Sequence, residues 1–132
     1  MDLLEGLRIL LVEDEYLIAM DVETICLEHG AVAVTIVGRL SDLDADSLMQ
    51  HIDIAILDLM LNGQSTLDFA ARLQRRGIPF IFATGQSMTQ EIRTRFPHVQ
   101  LVEKPYSGDD LVKALSVAGK ATPPQSTGDV IT

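Results

Sequence analysis

The sequence predicts a doubly wound α/β domain, with one five-stranded parallel sheet covered by helices on both faces. Three observations point there. Five short runs rich in branched or aromatic apolar residues recur along the 132 residues, and the central ones are apolar almost throughout, as strands buried on both faces are. Between them lie segments whose apolar residues repeat near helical spacing. The carboxyl ends of the runs carry acids, a threonine and a lysine, at the edge where open parallel sheets place their ligands.

The first strand is Arg8-Ile9-Leu10-Leu11-Val12, closed by Glu13 and Asp14. From about Tyr16 to Glu28, Leu17, Ile18, Met20, Val22, Ile25 and Leu27 recur at helical spacing, and Gly30 stops the helix. Ala31 to Val37 is short and rich in β-branched residues, hence a second strand. Ser41 is a cap for a modest helix running to about Gln50, with Leu43 and Leu48 inward. Ile52 to Leu57 is the third strand, and Asp58 closes it. Asp53 faces the entry side of that strand as a solvated edge. Leu67 to Arg76 forms a helix ended by Gly77, and Ile78 to Ala83 the fourth strand, with Pro79 tolerable only near its start. A weak helix from about Met88 to Phe96 keeps Ile92 and Phe96 inward. Val99 to Val102 is the fifth strand, and Asp109 to about Lys120 the last helix. Right-handed crossovers and a flavodoxin-like order of 2-1-3-4-5 set the first and third strands side by side, which brings Asp14 to Asp58. Residues 1–120 form one domain, and 121–132, with Pro123-Pro124 and small polar residues, a flexible C-terminal tail with no output domain behind it.

Composition narrows the function. Nineteen acidic against ten basic residues give a net charge of -9, which argues against nucleic-acid binding, since that requires a positive footprint. Cys26 stands alone, so no internal disulfide forms; between Ile25 and Leu27 it reads as a small apolar residue. No basic-then-apolar leader opens the chain and no apolar run reaches spanning length, so the expected place is the cytoplasm, without membrane insertion.

Taken singly, the polar strand ends are ordinary. Glu13-Asp14 would be a solvated strand end, Thr84 a loop hydroxyl, and Lys104-Pro105 a strand-ending turn. Together, three carboxylates (Glu13, Asp14, Asp58), the Thr84 hydroxyl and the Lys104 ammonium read as a magnesium-assisted phosphoryl-transfer site with an aspartate nucleophile. An ionised aspartate needs no general base; its difficulty is approaching another anion, which a cation and a lysine offset. Oxygen ligands suit Mg2+, with Mn2+ as the alternative, while His29, His51 and His98 are scattered and make no zinc pattern. Gly63 frees the loop after Asp58 to turn.

The motifs Leu11-Val12-Glu13-Asp14-Glu15, Leu57-Asp58-Leu59-Met60-Leu61-Asn62-Gly63, Ala83-Thr84-Gly85 and Glu103-Lys104-Pro105-Tyr106, in this order, resemble those of response-regulator receiver domains of the CheY-like superfamily, over about Leu7 to Gly119. The resemblance implies that Asp58 is the phosphate acceptor. Glu13, Asp14, Asp58 and the Met60 backbone carbonyl would serve the metal. Thr84 would be the switch hydroxyl and Lys104 the charge partner of the phosphate. It also implies a cis bond before Pro105, and Tyr106 reads as a ring packed over the last helix. The donor would be a sensor histidine kinase or a histidine phosphotransfer protein, with a downstream protein as a possible target. The chain would catalyse its own phosphorylation and dephosphorylation yet serve as a signalling protein, either a messenger or a phosphate sink. Three positions depart from the common pattern: Leu101 stands where an aromatic is usual, Gly85 where alanine is, and Asn62 where proline often is. Phe82-Ala83-Thr84-Gly85 resembles a subgroup of alphaproteobacterial receivers (FATG), often stand-alone. The alternative is a phosphorylation-independent binding module on the same fold; an aspartyl-phosphate phosphatase fits poorly, since it would want an acid where Met60 stands.

Overall fold

The computed structural model describes residues 2–43, 45–85 and 90–120. The elements follow in the expected alternation: β1 (Arg8–Val12), α1 (Tyr16–Glu28), β2 (Ala33–Val37), α2 (Ala45–Met49) and β3 (Ile54–Leu57). A two-residue hairpin, β4 (Met60–Leu61) and β5 (Gln64–Ser65), precedes α3 (Leu67–Arg75). The chain continues through β6 (Phe80–Thr84), α4 (Gln90–Arg95), β7 (Leu101–Glu103) and α5 (Gly108–Lys120). The main sheet runs β2-β1-β3-β6-β7 with every neighbouring pair parallel, so the five expected strands stand in the order 2-1-3-4-5.

Strand alternation divides the core into two layers. Leu10 and Val12 of β1, Ala55 and Leu57 of β3, and Phe80 and Phe82 of β6 face Met49, Phe69, Leu73, Ile92 and Phe96. Ile9 and Leu11, Ile54 and Ile56, and Ile81 and Ala83 face Ala19, Val22 and Cys26 of α1 and Leu111, Val112 and Leu115 of α5. Each fully buried Leu, Ile or Phe side chain contributes roughly 1.5–3 kcal/mol. Cys26 is wholly buried, and desolvation pushes its thiol up to about 12, so it packs as an apolar residue. Gly30 ends α1 at φ +102°, where a Cβ would fall 2.7 Å from the Cβ of Asp2 and 2.9 Å from the Cα of Glu5. The sequence reading had not assigned that leading segment; Leu4 N–H donates to His29 O at 2.9 Å, and Leu4 is fully buried.

Several boundaries move. Ser41 caps no helix: Leu40–Asp42 is a single 3-10 turn and α2 begins only at Ala45. Serine and aspartate are poor helix-interior residues, and Ser41, Asp42, Asp46 and Ser47 crowd this short element. Leu43 and Leu48 nevertheless pack inward. β6 starts two residues late because Pro79 has no N–H and Ile78 N–H turns back to Leu73 O at 3.0 Å. Val99 N–H bonds Phe96 O at 3.2 Å, so β7 likewise starts at Leu101. The first residues of the expected helix before Phe96 fall in 86–89, and the expected tail in 121–132, both outside the described residues.

Asp53 is a correction of chemistry rather than of place. It stands at the entry edge of β3, but it is not merely solvated. Its carboxylate accepts Arg8 N–H at 2.8 Å, Nε at 3.1 Å and Nη2 at 3.0 Å. The Arg8 hydrogen bonds hold the Asp53 carboxyl below the usual carboxylate range, against a smaller opposing effect of burial. A depressed folded-state pKa means the ionised form stabilises the fold above the ordinary value of about 3.9, and that the benefit is lost as pH falls through the folded pKa. Asp53→Asn is therefore expected to lower the urea midpoint near pH 7, with the gap from wild type closing as the pH drops below about 4. A gap that stays constant across that range would mean the ion pair contributes nothing.

Candidate functional site

Register builds the site. Val12 lies opposite both Val37 and Leu57, so the residues after β1 and β3 emerge together. Glu13 N–H donates to Val37 O at 3.0 Å and Asp58 N–H to Val12 O at 3.1 Å, which carries the sheet pairing one step into the site. On the far side Thr84 pairs with Glu103, and Lys104 N–H donates to Thr84 O at 2.8 Å. The bond between Lys104 and Pro105 is cis.

Lys104 Nζ lies 2.9 Å from Glu13 Oε1 and 3.0 Å from Asp58 Oδ2, with Glu15 Oε1 at 3.5 Å. Glu13 is 4% and Asp58 8% exposed, so this lysine joins two nearly buried carboxylates. Burial pushes the Glu13 carboxyl up, more than its hydrogen bonds to Lys104 and to Glu15 N–H pull it down. Burial would lower Lys104, but its hydrogen bonds to Glu13 and Asp58 and their negative charge more than offset that, so the ammonium is retained. Oxygens of Glu13, Asp14 and Asp58 all lie within 4.8 Å of one another. Glu13, Asp14, Asp58 and, at its exposed rim, Glu15 stand around one ammonium, so negative charge is in excess, and hard carboxylate oxygens are the donors a divalent cation takes. The residues present fit a divalent metal.

The remaining expected site residues fall at the same edge. Thr84 is buried at the end of β6, 1% exposed, continuing the face that carries Phe80 and Phe82. Met60 opens the hairpin after Asp58, and its N–H lies 3.4 Å from Asp58 Oδ1. Asp14 is exposed, and its Oδ2 accepts Asn62 N–H at 2.8 Å. Tyr106 is half-buried against the layer of α1 and α5, as expected, and desolvation pushes its phenol up to about 12.

Sequence reasoning missed Thr66. Its side chain is fully buried, and its hydroxyl lies 2.6 Å from Asp58 O and 3.2 Å from Leu59 O. Its N–H also donates to Leu59 O at 3.0 Å. The residue before α3 thus ties the helix start to the backbone at Asp58. A threonine just ahead of a helical run is the one signal that could have found it. Thr66→Val keeps the shape and strands the Asp58 carbonyl, so it is expected to cost about 1–3 kcal/mol in urea unfolding with an unchanged slope. A loss under about 0.5 kcal/mol would show that the hydroxyl does not hold this backbone.

Comparison with known proteins agrees with the geometry. The chain is 29% identical over 86 residues to the uncharacterized transcriptional regulatory protein YbdJ of Bacillus subtilis (strain 168), a match covering 64% of this chain and 37% of that protein. It is similar to SdrG from Sphingomonas melonis Fr1, at 35% identity and TM-score 0.68, over 86% of this chain and 96% of the other. A mutant of the anti-anti-sigma factor PhyR from Bartonella quintana superposes with TM-score 0.73 at 26% identity, covering 90% of this chain and 51% of that one. The chain thus spans about a third of YbdJ and about half of PhyR. Among the described residues, no helix is long and apolar enough to cross a membrane. The response regulator receiver domain profile matches residues 9–116, so the chain belongs to that family, and its acidic cluster, lysine and buried threonine form the arrangement such a domain uses to accept a phosphoryl group and signal.

Proposed function

We propose that Asp58 is the phosphoryl acceptor of a receiver domain within residues 1–120, acting in the cytoplasm. The observation that carries this is the position of Asp58: one oxygen on Lys104 at 3.0 Å, beside Glu13 and Asp14, at the carboxyl edge of the central strand. A carboxylate oxygen of Asp58 attacks the phosphorus of a phosphohistidine. The new O–P bond forms as the N–P bond breaks, and the leaving imidazole nitrogen recovers a proton from solvent. Water later attacks the same phosphorus, releasing orthophosphate and restoring the carboxylate.

Asp14, Asp58 and the Met60 carbonyl would hold Mg2+, with Glu13 acting through water; Mn2+ suits the same oxygens. When bound, the ion offsets the repulsion between Asp58 and the incoming phosphoryl oxygens. Lys104 supplies the second positive charge, and the Thr84 hydroxyl a donor to the phosphoryl group. The donor is a sensor histidine kinase or a histidine phosphotransfer protein. Support for a protein donor comes from Tyr16, Leu17 and Met20, which are 73%, 80% and 40% exposed on the first turns of α1, next to the acids.

The finer kinship with the FATG subgroup rests on Phe82 to Gly85; Leu101, a separate departure from the usual aromatic, pairs with Phe82 in the sheet. Leucine cannot make an aromatic rotamer switch. A contact path without it exists: Phe82 stands two residues before Thr84, and its ring centroid lies 5.6 Å from that of Phe96, just past α4. These packed rings offer a route by which a shift at Thr84 would reach the end of α4, where a protein target would read the changed surface, unless the chain only drains phosphate from its kinase.

Intact mass measured with Mg2+ and a small phosphodonor such as acetyl phosphate is expected to show one phosphoryl adduct, absent without the metal and absent in Asp58→Asn. An adduct that persists in Asp58→Asn would move the acceptor elsewhere. No adduct on folded, Mg2+-supplied protein would favour a binding module independent of phosphorylation.

A further inference from the structure

Of the three clustered carboxylates, Asp14 is held differently. Glu13 and Asp58 are nearly buried and share Lys104, whereas Asp14 is exposed and makes no ion pair with that lysine. Among the described residues, the group that fixes its carboxylate is the backbone N–H of Asn62, 2.8 Å from Oδ2. An exposed aspartate without such a bond samples several rotamers, and binding a cation would have to select one of them.

The Asn62 N–H reaches Asp14 because of an unusual backbone. Asn62 has φ +52° and Gly63 φ +80°, which together form the two-residue turn between β4 and β5. Hairpin turns with two positive φ values favour Asn-Gly, since asparagine tolerates the left-handed region and glycine has no Cβ to clash there. The Asn62 side chain adds an anchor: Nδ2 donates to Gly38 O at 2.9 Å, tying the turn to the loop after β2. At the other end of the same hairpin, Met60 N–H points to Asp58 Oδ1 at 3.4 Å. One six-residue hairpin thus meets two of the three acids from the same side, and it leaves Asp14 Oδ1 with no hydrogen bond from it.

We infer that Asn62 is a positioning residue, one whose left-handed backbone amide presets Asp14 for a divalent cation. The inference rests on Asp14 being a metal ligand, as proposed above. Partners that orient a ligand typically change metal affinity about 10–100-fold when removed. Proline at this place has no N–H and cannot adopt φ +52°, whereas glycine keeps both the donor and the turn.

The test is Mn2+ affinity measured by water-proton relaxation on wild type, Asn62→Gly, Asn62→Pro and Asp14→Asn, with circular dichroism confirming the fold. Asn62→Gly is expected within about threefold of wild type and Asn62→Pro about 10–100-fold weaker. If Asp14→Asn loses the ion while Asn62→Pro keeps wild-type affinity, the positioning role is overturned and the metal site stands. If Asp14→Asn binds Mn2+ as wild type does, both fall. A second readout needs no proline variant. In wild-type protein the Asn62 amide proton is expected downfield, and Asp14→Asn should move it upfield; a resonance indifferent to that substitution overturns the inference.

Discussion

The ammonium of Lys104 between Glu13 and Asp58 is the constraint around which the rest of the molecule is arranged. Lys104 follows the last strand, yet it touches an acid 91 residues earlier, beyond two intervening strands. Buried charges are costly unless paired, so neither the lysine nor the two carboxylates is tolerable there alone. The contact acts unequally on its two ends. For Glu13, with 2% of its side chain exposed, desolvation outweighs the contact; for Lys104, at 15%, desolvation is the largest single effect, but the hydrogen bonds and charges of Glu13 and Asp58 together exceed it. Burial thus raises Glu13 against the pull of Lys104, whereas Lys104 is raised by the two acids against its own burial. Sheet order is what makes the contact possible, because only with β1 beside β3 do Glu13 and Asp58 present oxygens to one ammonium.

What could be read from the sequence is what periodicity and strand ends encode. The strands and the two-sided core follow from apolar runs with polar residues at their carboxyl ends, while the strand order, and with it the approach of Glu13, Asp14, Asp58 and Lys104, came with the flavodoxin-like class. Boundaries were less legible, for reasons visible at particular residues. Pro79 and the bond from Ile78 to Leu73 delay β6, and local polar residues crowd the short α2. The contacts missed altogether involve backbone atoms. Thr66 binds two carbonyls, Asn62 acts chiefly through its N–H, and Asp53 binds the Arg8 backbone as well as its side chain. A sequence shows which side chains carry charge, but the direction of a carbonyl or an amide exists only after the chain has turned. Gly63 signals that the loop after Asp58 can turn; that the turn aims an amide at Asp14 depends on both Asn62 and Gly63 having positive φ.

The same residue type behaves in opposite ways at the two edges of the sheet, and the contrast says what each edge is for. At the amino edge, Asp53 meets a cation of its own chain through side chain and backbone together, leaving no excess charge. At the carboxyl edge, Glu13 and Asp58 share one lysine while Asp14 stands beside them without it, and the excess stays. Such an imbalance destabilises a domain by like-charge repulsion, since carboxylates this close disfavour joint ionisation. Simple stability would be served by a second basic residue or by amides in their place. Instead, uncharged groups hold the acids in position: the Thr66 hydroxyl at the Asp58 backbone and the Asn62 amide at Asp14. The Asn62 bond orients a carboxylate without cancelling its charge, and the Thr66 bond fixes the backbone that carries another. An edge built to keep its negative charge while restricting its geometry is prepared for a cation from outside, and with that cation bound it can receive a second anion.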